Sequence, residues 1–273
     1  MLWFFTAIYP EAAPVVSRYA MKRTAGRFAD IFRGEDAVLV LTGSGPVRAA
    51  SAVSEALTLD APGPKDILIN LGICGAPEGY AFGECCRIHK ITDACSCRDF
   101  YPDLLADSAF REAALTTYGK PCEAPETLAD MEGSAFFETA VKAVSPDRIF
   151  LYKIVSDRGN TDALTPQTVT NLIAKALPGI ISEAERYASL LPEPKELSAE
   201  AEEAADGICR LLDASVTMRS EIMKLALYIE LRDGNAAERL RAFLNEEGIS
   251  GEQPLRRKEG KIILEHLRQF CLR

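Results

Sequence analysis

The sequence predicts an α/β domain followed by a small all-helical appendage. Three observations lead there. Strand and helix signals alternate over about residues 1–190, composition shifts at Pro192-Glu193-Pro194-Lys195, and beyond Ser198 only helical spacing occurs. Alternating strands and helices indicate a sheet covered by helices, with ligand sites at strand ends. The reading divides the chain into a domain at 1–192, a linker at 193–197 and a helical domain at 198–273.

Taken in order, residues 2–8 are an apolar strand, and residues 13–32 carry apolar side chains near helical spacing, ending at Gly34. The short apolar run 37–41 is a buried strand, broken by Gly43-Ser44-Gly45-Pro46, and 47–59 is an alanine-rich helix. Pro62-Gly63-Pro64 is a loop, 66–71 a buried strand, and 72–83 loop-like. Strand character returns at 86–93 and 148–155, and helical character at 127–143 and 165–190. Ser198 followed by Glu200, Glu202 and Glu203 is a helix start: a capping hydroxyl, then acids in the first turn. Residues 208–212, 218–231, 236–244 and 261–270 keep helical spacing, with a break at Asp233-Gly234-Asn235.

With 48% hydrophobic and 26% charged residues over 273 positions, the chain is globular and buries a core of useful size. A net charge of −9 argues against nucleic acid or anionic lipid as the main partner, while a small ligand remains open. Residues 1–9 are apolar but lack a basic start and run into Pro10-Glu11, so they read as a first strand. No apolar run approaches the roughly 20 residues that span a bilayer. The expectation is a soluble, cytoplasmic protein without a membrane partner. The eight cysteines contain no C-x-x-C pair, and His89 and His266 lack ligand spacing. Cys95-Ser96-Cys97 after Cys85-Cys86 is the nearest approach to a cluster. The reading expects reduced thiols, no metal and no cofactor.

Four stretches bear on chemistry. Gly43-Ser44-Gly45-Pro46-Val47-Arg48 joins a strand to a helix, where glycines let amides approach an anion. It fails both the dinucleotide pattern and the P-loop pattern, so alone it reads sooner as a tight turn than as a ligand loop. Asn70-Leu71-Gly72-Ile73-Cys74-Gly75 is a second strand-to-glycine loop, and two such loops at neighbouring strand ends point to a cleft. Asp130-Met131-Glu132-Gly133 opens a helix, and Ser156-Asp157 ends a strand, where α/β enzymes place catalytic groups.

These motifs, with Ala7-Ile8-Tyr9-Pro10-Glu11-Ala12 at the first strand end, resemble the purine nucleoside phosphorylase and methylthioadenosine/S-adenosylhomocysteine nucleosidase superfamily. Asp-Met-Glu, then a strand ending Ser-Asp about 25 residues on, carries most of the likeness, which covers about residues 1–190. The stretch Arg98-Asp99-Phe100-Tyr101-Pro102-Asp103 also resembles a bacterial branch of nucleoside-phosphorylase-like proteins. The resemblance implies a three-layer α/β/α fold and cleavage of the bond between ribose C1′ and a base nitrogen. It implies that Glu132 holds the ribose hydroxyls with Met131 on the sugar face. Asp157, beside Ser156, acts at purine N7, and Glu11 positions an attacking water. Gly43, Gly45, Gly72 and Gly75 form the two glycine loops, and Phe100 and Tyr101 fall where nucleosidases lend an aromatic to the partner subunit of a homodimer. The transition state is oxocarbenium-like and is stabilised by nearby carboxylates.

The departures matter too. Phosphorylases of this family clamp phosphate with arginine and serine around the second glycine loop, and the matching positions here are Asn70 and Ile73. Loss of a cationic clamp favours water over phosphate as nucleophile. The stretch between Tyr118 and Asp130 is short where the family supplies base contacts. The leading expectation is a hydrolytic N-glycosidase acting on a purine nucleoside like methylthioadenosine or S-adenosylhomocysteine. The alternatives are a phosphate-dependent phosphorylase, or a non-catalytic nucleoside-binding module whose helical tail recruits a protein partner. In that tail Arg256, Arg257, Lys258, Lys261, Arg268 and Arg273 alternate with acids, and Ile222, Leu225, Ala226 and Ile229 form an apolar stripe.

Overall fold

The computed structural model describes residues 1–160, 162, 164–193, 196–249, 255 and 257–272. The chain forms two compact units, Met1–Pro192 and Glu193–Arg273. Pro194 and Lys195 of the expected linker, and Arg256 and Arg273 of the basic tail, lie outside the described residues.

In the first unit, β1 (Leu2–Thr6) is buried along its whole length between parallel neighbours β4 (Ala37–Leu41) and β5 (Ile67–Gly75). A strand covered on both faces reads as an unbroken apolar run, which is why 2–6 and 37–41 were legible. Successive side chains of β1 enter opposite layers. Trp3 and Phe5 pack with Ala52 and Val53 of α2 (Pro46–Leu59) and Phe136 and Phe137 of α3 (Gly133–Ala140). Leu2 and Phe4 pack with Ala12 and Val15 of α1 (Tyr9–Arg18) and Ile173 and Ile180 of α4 (Pro166–Leu190). The result is the expected three-layer α/β/α arrangement.

The sheet is mixed. β10 (Ile149–Asp157) runs parallel to β5 and antiparallel to β6 (Cys85–Asp93). β6 pairs in parallel with β8 (Arg111–Thr117), β8 with β9 (Leu128–Asp130), and β9 returns antiparallel to β5. These pairings close a ring of five strands beside the open part of the sheet. A two-residue strand, β7 (Asp99–Phe100), pairs with β6.

Four expectations are corrected. Residues 13–32 are not one helix: α1 ends at Arg18, and β2 (Lys22–Ala25) and β3 (Asp30–Arg33) form an edge hairpin on β4. Ile31 and Phe32 enter opposite cores, a period-2 pattern too short to show against the preceding helix. The Glu55 carboxylate of α2 accepts from the amides of Arg27, Phe28 and Ala29 and so closes that hairpin turn. Residues 128–130 are strand rather than helix, because β9 completes the ring. β8 and β7 were not foreseen. The stretch after Leu71 continues as β5 to Gly75, and the first strand stops at Thr6.

The second unit is helical, with α5 (Ala199–Leu211), α6 (Val216–Asp233), α7 (Ala236–Glu246) and α8 (Arg257–Cys271) around Ile208, Ile222, Ile229, Leu240, Phe243 and Leu267. Ser198 caps α5 by accepting from the Ala201 amide, and Gly234 ends α6 at φ +70°. Among the described residues no helix is long and apolar enough to cross a membrane.

Candidate functional site

The carboxyl ends of β1, β4, β5 and β10 converge on a cavity of about 230 Å³, where open parallel sheets bind ligands. Its walls include Ile8, Glu11, Met131, Glu132, Ser156 and Asp157.

Glu11 sits in the first turn of α1, behind Pro10, and is 3% exposed. One carboxylate oxygen accepts from the amides of Ala7 (2.9 Å) and Ile8 (3.1 Å), the other from Ile73 at the end of β5 (2.9 Å). Burial raises its pKa, while these donors and Lys153 pull the other way. Gly72 is a glycine because of this carboxylate. A Cβ there would lie 2.9 Å from Glu11 Oε1 and 3.6 Å from Lys153 Nζ.

Lys153 was not foreseen. It lies in β10 opposite Gly72, is 2% exposed, and its ammonium is 2.7 Å from Asp130 Oδ2. Asp130 also accepts from Thr117 Oγ1 (2.7 Å) and from the Gly133 amide (2.8 Å). Burial opposes the charge on Lys153, but Asp130, Glu132 and Glu11 outweigh it and hold the pKa above its ordinary value. The signal in the sequence was a single cation inside the apolar run Ile149–Val155. Such a side chain needs a buried partner.

Glu132 is the residue before α3. It accepts from the Gly45 amide at 2.7 Å. Burial, then the Asp130 carboxylate, push its pKa up to about 7. Gly43 and Gly45 adopt φ of +77° and +102°, a region that side chains other than glycine rarely enter. The first glycine loop therefore gives an amide to Glu132.

Ser156 is the extra residue at a bulge in the β5–β10 pairing, between Val155 opposite Cys74 and Asp157 opposite Gly75. A bulge re-aims side chains next to a site. Ser156 Oγ donates to Asp157 Oδ2 at 2.7 Å, and Asp157 Oδ1 accepts from the Gly159 amide at 2.7 Å.

The structure thus brings Glu11, Met131, Glu132, Ser156, Asp157 and Gly75 to one cavity, with Gly43, Gly45 and Gly72 behind its wall. Phe100 and Tyr101 do not line it. Phe100 packs on Phe137, with ring centres 6.1 Å apart, and Tyr101 is exposed. Tyr118 is absent from the wall, and Pro121 and Cys122 stand there instead. That segment is pressed onto Gly159, where a Cβ would meet the Glu123 carbonyl oxygen at 2.1 Å.

Four carboxylates, Glu11, Asp130, Glu132 and Asp157, surround the cavity against the single ammonium of Lys153, which Asp130 already engages. Arg48 is exposed on α2, and Arg158 donates to the carbonyls of Ala76, Pro77 and Tyr80. Among the described residues no group of three or more His, Cys, Asp or Glu side chains is placed to hold a metal ion. The arrangement suits a ligand that becomes positive as it reacts, and it disfavours an anion.

No protein-family model matches the sequence, and no curated protein matches it either. Solved structures do match. A 5′-methylthioadenosine/S-adenosylhomocysteine nucleosidase from Neisseria meningitidis, in complex with methylthio-immucillin-A, aligns with a TM-score of 0.55 at 16% identity, over 67% of this chain and 98% of its own. The 5′-methylthioadenosine nucleosidase of Arabidopsis thaliana aligns at 0.56 and 20%, over 69% and 96%. The futalosine hydrolase of Helicobacter pylori aligns at 0.52 and 10%, over 67% and 97%. The chain has the nucleoside phosphorylase-like fold that these proteins share.

Proposed function

We propose that the protein is an N-glycosidase that hydrolyses a purine nucleoside, of the kind represented by methylthioadenosine and S-adenosylhomocysteine. The observation that carries the reading is the meeting of Glu11, Glu132 and Asp157 at one cavity whose nearest cation is neutralised by Asp130. In this mechanism Asp157 donates to purine N7 as the C1′–N9 bond breaks, so the base leaves neutral. Ser156 orients it through the 2.7 Å hydrogen bond. Glu132 accepts from the ribose hydroxyls. Glu11 orients a water and takes its proton as the oxygen bonds to C1′, leaving free sugar and free base. With Asp130 paired to Lys153, the carboxylates of Glu11 and Glu132 stabilise the oxocarbenium-like sugar and disfavour phosphate, which favours water as nucleophile.

A second reading is a nucleoside-binding module without turnover. The stretch between Tyr118 and Asp130, short where the family supplies base contacts, and Ile73 in the second glycine loop favour it. In either reading we place the protein in the cytoplasm as a homodimer, with Phe100 and Tyr101 at the contact between subunits and the helical unit available to a protein partner.

A panel of purine nucleosides, incubated with and without phosphate, tests the proposal. Free sugar is the expected product. Sugar-1-phosphate would make the protein a phosphorylase, and binding without turnover a module. Asp157→Asn should cut turnover of the confirmed substrate by about 10²–10⁴-fold. A variant retaining about half of the activity would remove Asp157 from the proton-donor role.

A further inference from the structure

Two of the eight cysteines, Cys95 and Cys97, are exposed. Cys74, Cys86, Cys209 and Cys271 are buried, and burial pushes each of those thiols up in pKa, which keeps them unreactive. The exposed pair stands on the turn between β6 and β7, separated only by Ser96. Backbone hydrogen bonds close this turn, from the Cys97 amide to the Asp93 carbonyl (2.8 Å) and from the Asp93 amide to the Arg98 carbonyl (2.9 Å). Neighbouring α-carbons are about 3.8 Å apart, so two residues apart they lie about 5–7 Å from each other. That overlaps the roughly 4.4–6.8 Å spacing of disulfides. Cys97 also holds φ of +56°, an uncommon conformation for a side chain other than glycine, so the turn is strained at a thiol-bearing residue.

The turn is hydrogen-bonded inward. Asp93 Oδ1 accepts from the Ser96 amide (2.7 Å) and hydroxyl (2.8 Å), and Asp93 Oδ2 accepts from Ser134 Oγ in α3 (2.8 Å). The Ser134 amide donates to Thr117 Oγ1 (2.9 Å), and Thr117 Oγ1 donates to Asp130, the partner of Lys153. A row of hydrogen bonds through Asp93, Ser134 and Thr117 therefore leads from Ser96, the residue between the two exposed cysteines, to the buried ion pair behind the cavity.

We propose that Cys95 and Cys97 form a thiol–disulfide exchange site, oxidised by a small-molecule disulfide to an intramolecular Cys95–Cys97 bond that loosens the Asp93–Ser134 contact. The thiolate of one cysteine attacks the small disulfide, forming a mixed disulfide and releasing one thiolate. The thiolate of the other cysteine attacks the protein sulfur of that mixed disulfide, closing the ring and releasing the second. The protein pair loses two electrons and two protons, and the small disulfide takes them up as two thiols. Closure through a single intervening residue restricts Ser96, which donates twice to Asp93, so the change reaches Ser134. A bond across so short a loop is strained and readily reduced, which makes the site a sensor of oxidant rather than a structural staple.

The test uses the full chain treated with excess glutathione disulfide, then peptide mapping by mass spectrometry and amide hydrogen exchange. The expected result is a Cys95–Cys97 bond, with exchange at the Ser134 amide at least about threefold faster and restored by dithiothreitol. Cys95→Ser and Cys97→Ser should each abolish both the bond and the change in exchange. Recovery of the two residues as free thiols or as separate mixed disulfides would overturn the site. A formed bond with unchanged exchange at Ser134, or a changed exchange in either serine variant, would overturn the coupling. Neither readout depends on turnover, so the outcome is independent of the proposed hydrolysis.

Discussion

Replacing Lys153 with methionine should lower the stability of the sheet unit by about 3–5 kcal/mol, the range for removing one partner of a buried ion pair. The structure sets that size. The Lys153 and Asp130 side chains are 2% and 1% exposed, and their charged atoms lie 2.7 Å apart. Methionine occupies nearly the same volume, so packing changes little, and the main effect is an uncompensated Asp130 carboxylate. Asp130 keeps its hydrogen bonds from Thr117 Oγ1 and the Gly133 amide, which hold the cost within this range. At roughly 2–4 °C per kcal/mol for a unit of this size, Tm should fall by about 10 °C in calorimetry at neutral pH. Adding Asp130→Asn removes the stranded charge, and the two changes should then couple by at least about 1.5 kcal/mol. A Lys153→Met protein melting within about 2 °C of the parent would refute the reasoning. So would a double variant that melts where simple additivity places it.

Glu132 sets a pH dependence. Its folded pKa of about 7 lies above the ordinary 4.5, so its contribution is fully present below pH 4.5 and is lost as pH rises through 7. The loss amounts to about 3 kcal/mol. Denaturant titrations between those limits should show Glu132→Gln with a flatter profile than the parent, and parallel profiles would contradict this. Gly72→Ala puts a methyl group 2.9 Å from Glu11 Oε1 and should lower kcat for the confirmed nucleoside by about 10–100-fold in a folded protein, as circular dichroism and steady-state kinetics can check. Residues 1–195 expressed alone should unfold cooperatively and keep a nucleoside-induced rise in Tm, because among the described residues the two cores of the first unit draw on none beyond Leu191. An insoluble product, or a folded one without the shift, would show that the helical unit is needed.

The parts of the fold that were legible are those whose signal is local. β1, β4 and β5 are apolar runs buried on both faces, and α2 and α4 are long enough for a helical period to repeat. The edge hairpin was not legible. What holds its turn is the Glu55 carboxylate, 26 to 28 residues away in the chain, and no local period reports such a contact. β9 was masked in a similar way. Its three residues pair with strands on either side, yet in sequence they merge with the apolar start of α3.

The site divides along the same line. Glu132 and Asp157 were singled out because each stands at a helix start or strand end, where residue type and position are read together, whereas Glu11 was named only through the resemblance. The sequence could not show how each is held. The Gly45 amide reaches Glu132 only because two glycines turn the backbone through positive φ. Gly72 lacks a side chain because a Cβ there would lie 2.9 Å from a carboxylate oxygen of α1. Lys153 is the clearest case. Read along the chain it interrupts an apolar strand. In the fold it faces Asp130 at the end of β9, Glu132 just before α3 and Glu11 in α1. A lone cation in a buried strand is therefore evidence of a carboxylate cluster elsewhere in the chain. Here the Asp130-Met131-Glu132 motif, singled out for its acids, supplies that cluster.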